Sequence, residues 1–168
     1  VALYSKAQIR KVLAVAVKAV EARQAGKKTI VLGNITFHNK SGNYRISVHA
    51  DLDDPGWCNR LIRQCFEVGL GLPPFNWYFG AATAHLTLMK LAPYQLAAGS
   101  KPQSGDIIGF SGDPGHIVLA LGDWYGDGRF LVAENTSAKR GDPSAPGTKV
   151  TALKNLRTQG RSVYRLWA

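Results

Sequence analysis

The 168 residues carry 21 Lys and Arg against 11 Asp and Glu, a formal charge of +10 with a pI near 9.9. With 45% hydrophobic residues and a mean hydropathy of -0.11, the chain can bury the core of a single domain, which excludes intrinsic disorder. No run approaches the roughly 20 apolar residues of a membrane-crossing helix, and the Gly and Pro follow no Gly-X-Y period, so transmembrane, collagen-like and linker-like classes are set aside.

Ser5 to Ala25 predicts a helix, with Ser5 and Gln8 spaced as a capping box and Ile9, Val12, Leu13, Ala16, Val17, Ala19 and Val20 as its apolar stripe. Gly26 ends it. Lys6, Arg10, Lys11, Lys18 and Arg23 fall on the polar face, followed by Lys27 and Lys28, with Glu21 the one acid. Residues 29 to 52 alternate short apolar groups with Gly and Asn, which predicts short strands or an irregular entry segment. The turn Asp53-Asp54-Pro55-Gly56-Trp57 leads into a helix whose Leu61, Ile62, Cys65, Phe66 and Val68 share a face and which ends at Gly69 and Gly71. A further helix is expected over 81 to 91. Beyond Pro102 the apolar runs at 105–110, 116–121 and 129–134 are bounded by Gly, Pro and Asp and predict antiparallel strands, with 122–128 as a hairpin loop and Val163 to Leu166 as another strand. Helices first and strands second make an α+β domain.

Cys58 and Cys65 lie two helical turns, or roughly 10 Å, apart along one axis, too far for a disulfide. Cys65 sits among apolar neighbours and reads as core. Cys58 falls in the first turn, where unpaired N–H groups and the helix dipole favour a thiolate. A nucleophilic thiol needs an imidazole to take its proton and a third group to hold the ring. His116, at the mouth of an apolar strand, is the candidate base. Glu134 and Asn135 end the neighbouring strand and point to opposite faces, so without a bulge only one reaches His116. Glu134 would hold an imidazolium by charge, and Asn135 would only orient it. His38, His49 and His85 read as structural. The Cys and His spacing fits no zinc motif, and neither a phosphate-binding loop nor a Gly-x-Ser-x-Gly elbow occurs.

The order Trp57-Cys58-Asn59-Arg60-Leu61-Ile62-Arg63-Gln64, then Pro102-Gln103-Ser104-Gly105-Asp106, then Gly115-His116-Ile117-Val118, resembles the NlpC-type and CHAP-type cysteine peptidases and amidases of bacterial cell-wall turnover and phage lysis. The likeness covers about residues 53 to 137. It implies a papain-like core over 51–168, with a catalytic helix on a small antiparallel sheet; residues 1–50 match no motif of that family and read as a basic N-terminal helical extension. It implies Cys58 as nucleophile, His116 as general base, Glu134 or Asn135 as the third member, and no cofactor or metal. The expected activity is cleavage of a peptidoglycan amide bond, by an endopeptidase or an N-acetylmuramoyl-L-alanine amidase, through a thioester. The alternatives are a papain-like protease or transamidase acting on protein, or an inactive wall-binding module. Asp54, Trp57, Trp77 and Trp124 are candidate substrate-binding residues, with Tyr78, Phe79 and Tyr125 as further cleft walls. The expected partner is peptidoglycan, an anionic wall to which a +10 monomer is drawn by its field, rather than a specific nucleic acid.

Overall fold

A computed structural model describes residues 2–54, 58–72, 83–112, 115–136 and 146–168. Among these residues the chain is mixed α and β, with three helices and two antiparallel sheets. Helix α1 spans Lys6–Gln24, and its start is fixed as the sequence predicts: Ser5 Oγ accepts from the Gln8 N–H while Gln8 Oε1 accepts from the Ser5 N–H. Its stripe from Ile9 to Val20 is buried.

Strands β1 (Thr29–Asn39) and β2 (Gly42–Asp51) form one continuous hairpin, where the sequence suggested short or irregular pieces. Gly33 and a register shift between Val31 and Gly33 interrupt the alternation that would have announced a long strand. Gly33 has a reason to be glycine, since a Cβ there would lie 2.5 Å from Val68 Cγ1. Among the described side chains of the hairpin, Leu32, Ile35, Val48 and Ala50 are buried. Gln64 Nε2 donates to the His49 carbonyl and secures the base of the hairpin to the second helix.

Helix α2 spans Cys58–Leu70 and buries Leu61, Ile62, Cys65 and Phe66. It runs through Gly69, which the sequence placed at its end, and stops at Gly71 with φ +67°. At Gly69 the two helix backbones lie close: a Cβ there would stand 2.7 Å from Val12 Cα in α1. Helix α3, Ala84–Lys90, is capped by Thr83 and joined to α2 by Asn59 Nδ2, which donates to Thr87 Oγ1 at 2.7 Å. Residues 81 and 82 of the helix expected there lie outside the described residues.

The second sheet holds β3 (Ile107–Phe110), β4 (His116–Gly122), β5 (Leu131–Thr136), β6 (Gly147–Ala152) and β7 (Arg161–Tyr164), in the order β6-β5-β4-β3-β7. Period-2 alternation divides it into two faces. Ile107, Ile117, Leu119, Leu121, Leu131 and Ala133 join the core that α1, α2 and the hairpin base share. Ile108, Phe110, Val118, Ala120 and Val132 form a smaller cluster on the opposite face, covered by Phe130, Leu153 and Leu156. Residues 1–50 therefore contribute to the same core as the sheet. At one end of the sheet the fully buried Asp106 receives two hydrogen bonds from Arg165, both at 2.8 Å, one from Trp167 Nε1 and one from the Gln103 N–H, which ties the C-terminus to the turn before β3. Among the described residues no helix is long and apolar enough to cross a membrane.

The approach at Gly69 sets opposing tendencies against each other. Alanine is the better helix former by about 0.8–1.0 kcal/mol, but its methyl would push α1 off α2, and overpacking costs about 1–3 kcal/mol. Gly69→Ala is expected to lower the unfolding free energy in urea titration; an increase would contradict this packing.

Candidate active site

Cys58 opens α2, so its backbone N–H is among those with no partner inside the helix. Gly115 sits just before β4 with φ +74°, and a Cβ on it would come within 3.1 Å of the Gly112 carbonyl oxygen and 3.2 Å of that of Phe110. The Gly-His pair that opens β4 is thus a backbone requirement as well as a chemical one. His116 lies directly across from Phe110 in the β3–β4 register, and their rings stack with centroids 5.9 Å apart.

His116 shares its face with Val118, and Glu134 shares the face of Val132, so both side chains belong to the same side of the sheet. His116 Nε2 and Glu134 Oε1 are 2.8 Å apart, with the two residues only 7% and 2% exposed. The Cys58 side chain is close enough to the same imidazole to raise its pKa. With Nε2 engaged by Glu134, Nδ1 is the nitrogen left for the sulfur. Since His116 is the first residue of β4, its ring stands at the end of the sheet, where the start of α2 reaches it.

The charges are tuned by this burial. Desolvation works to lower the pKa of His116, but the imidazolium donates toward Cys58 and Glu134, and these interactions and their negative charges outweigh burial and hold the imidazole above its ordinary 6.5. Glu134 shows the mirror image: burial pushes it up, yet its hydrogen bond with His116 and the charges of His116 and Lys149 bring it below 4.5. Lys149 lies directly across from Glu134 on β6. The raised imidazole contributes stability below pH 6.5 that is lost as pH climbs through its folded value. The lowered carboxyl contributes above about 4.5 and loses its contribution as pH falls through its folded value, so the pair holds best between those limits.

Asn135 faces the other way. Its Nδ2 donates to the Asp54 carbonyl at 2.9 Å and to Thr148 Oγ1 at 3.2 Å. It anchors the chain four residues ahead of Cys58 and leaves His116 to Glu134. Asp54 is thereby placed beside the site, its carboxylate 3.5 Å from Arg60. Trp57 and Trp77, with Tyr78 and Phe79, lie outside the described residues. Trp124 does not join the site: β4 carries the chain some 20 Å from His116 before the loop that bears it, where Trp124 lines a separate cavity of about 370 Å³ with Arg10 and Asp123. Tyr125 is in the same loop, bonded to Glu21 of α1. Cys65 is fully buried and its thiol is pushed up to about 12 by desolvation, which makes it inert; both cysteines are free.

Phe110 and Lys149 were not anticipated from the sequence. Phe110 could have been found by pairing the two strands around the loop that precedes His116, but Lys149 belongs to β6, which no apolar run announced. Among the described residues no three His, Cys, Asp or Glu side chains gather as a metal site. No protein-family model, curated protein or solved structure matches the chain.

The Glu134 bond makes a titration prediction. The carbon-bound imidazole protons of His116, assigned by comparison with His116→Ala, are expected to titrate in NMR with a midpoint above 6.5 and to move to lower pH in Glu134→Gln. An unchanged midpoint in that variant would show that Glu134 does not hold the imidazolium.

Proposed function

We propose that this protein is a cysteine hydrolase of bacterial cell walls that cleaves an amide bond in peptidoglycan, built on the papain-like plan of the NlpC-type and CHAP-type enzymes it resembles. The observation that carries this reading is the line of groups Cys58, His116 and Glu134, with the thiol at a helix N-terminus and the base held by a buried carboxylate. In this reading the Cys58 thiolate attacks the amide carbonyl, and the Cys58 backbone N–H donates to the oxygen as it gains charge. His116, as imidazolium, protonates the leaving amine. The thioester that remains is attacked by water, whose proton returns to the imidazole, and the carboxylic acid leaves while the thiolate is restored. Glu134 fixes the ring and stabilises its positive form throughout.

The surface charge supports a polyanionic substrate. Lys6, Arg10, Lys11, Lys27 and Lys28 are all exposed, and cell walls display carboxylates and phosphates. Two other bases on α1 have structural work instead. Lys18 Nζ donates to the Leu32 carbonyl, and Arg23 bonds Asp53, the Thr148 carbonyl and the Pro146 carbonyl, clasping α1 to the start of β6.

The deciding experiment is digestion of purified peptidoglycan, with fragments identified by mass. Wild type is expected to release fragments with a new amine and a new carboxyl, with release reduced about 100-fold or more in Cys58→Ala and His116→Ala. An intact wall with all three proteins would overturn the peptidoglycan assignment, and cleavage of denatured protein in its place would favour a papain-like protease.

A further inference from the structure

On the β3 side of His116 the structure gathers two cations. The guanidinium carbons of Arg157 and Arg161 each lie 5.7 Å from the centroid of the Phe110 ring, and that ring stacks on the imidazole. Phe110 is 3% exposed, and the arginines form part of its cover. Arg157 Nη2 donates to the carbonyl of Ser111, the residue that follows Phe110. Arg161 uses Nε and Nη2 on the carbonyls of Leu156 and Arg157. Among the described residues no carboxylate forms an ion pair with either one. Burial lowers the pKa of Arg161 from its ordinary value, and among the described residues no carboxylate offsets it. Glu134, the carboxylate buried at this end of the sheet, is already engaged by His116. Two guanidiniums one ring away from a nucleophilic pair, with donors left over after their backbone bonds, offer a seat for an anion.

We infer that Arg157 and Arg161 form a carboxylate-binding subsite beside the Cys58–His116 pair, selecting substrates that carry a free carboxylate within about two residues, or roughly 7 Å, of the reacting carbonyl. The inference deepens the proposed hydrolase and rests on Cys58 as its nucleophile. It names the substrate class as acidic amides, such as stem peptides with an unblocked carboxyl group, and places carboxamide-blocked versions among the poor substrates. Arg157 is exposed and Arg161 half-buried, so an incoming carboxylate meets Arg157 first, with Arg161 behind it supplying charge and support.

The test uses two alkylating probes that differ only in charge, N-chloroacetylglycine and N-chloroacetylglycinamide. In each, the Cys58 sulfur displaces chloride and forms a thioether, which leaves the carboxylate or its neutral counterpart about one residue further on. Second-order rates are followed by intact mass at 0.15 M salt, where long-range attraction is screened within about 8 Å. In wild type the carboxylate probe is expected to react about five- to tenfold faster than the carboxamide. Arg157→Gln and Arg161→Gln are expected to bring that ratio toward one while the carboxamide rate stays within twofold. Lys6→Gln with Arg10→Gln, which removes two charges from α1, is expected to leave the ratio as in wild type. A ratio unchanged in Arg157→Gln would overturn the subsite. A ratio that falls equally in the α1 variant would overturn it too, because the preference would then belong to net charge. If both probes slow together in Arg161→Gln, Arg157→Gln alone decides. Failure of Cys58 to react with either probe would overturn the nucleophile and the subsite with it, whereas a peptidoglycan digestion that fails while the probes discriminate would leave the subsite standing and change only the polymer.

Discussion

A carboxylate with almost no access to water has to be held by a cation, and in this chain the burial of Glu134 imposes an order on everything near it. The partner is His116, 2.8 Å away on the same sheet face. The bond fixes the ring through Nε2 and leaves Nδ1 as its other nitrogen. Thiol and carboxylate together overcome desolvation and hold the imidazole in its charged form above its ordinary range. Strand β5 supplies the carboxylate, β4 the imidazole and α2 the thiol, so the line of three groups exists only when the helix is seated on the sheet.

Secondary anchors keep that seating. Asn135 binds the Asp54 carbonyl and Thr148, the Thr148 N–H bonds the Leu52 carbonyl, and Arg23 reaches across to the Thr148 carbonyl. The chain entering α2 is therefore lashed to β5 and β6 just before Cys58. Gly69 lets α1 lie close against the far end of α2, and Thr87 receives Asn59 from the side. The position of the thiol is a property of the whole core, to which α1 and the hairpin base both contribute.

How much of this was legible before the structure depended on the kind of signal each residue carries. Helix α1 was plain because its cap and its stripe are local. Cys58 and His116 could be paired because each has a distinctive address, at a helix start and after a glycine at a strand start. Alternation reduced the third member to Glu134 or Asn135, but only the register tells which parity faces the imidazole, and registers are set by partners far away in sequence. The hairpin of β1 and β2 was legible only as short strands or an irregular segment, because Gly33 and its bulge break the pattern and most of its described residues face solvent. Strand β6, with Thr148-Lys149-Val150-Thr151, offers one large apolar group and no run. Trp124 was misplaced for a simpler reason: the loop after β4 lies at the opposite end of the strand from His116, and a count of strand length alone would have excluded it from the site.

The positive charge also separates into parts. Lys18 and Arg23 are used as braces, Lys6, Arg10 and Lys11 of α1 are exposed, and Arg157 and Arg161 lie over Phe110, the ring stacked on His116. The central claim is the covalent role of Cys58, and the most direct measurement is the mass of the protein quenched in acid during turnover of soluble peptidoglycan fragments. The account predicts an added mass equal to the acyl portion of the fragment, located at Cys58 and released by hydroxylamine. Fragment cleavage that proceeds equally well in Cys58→Ala, with no adduct on the wild-type thiol, would contradict it.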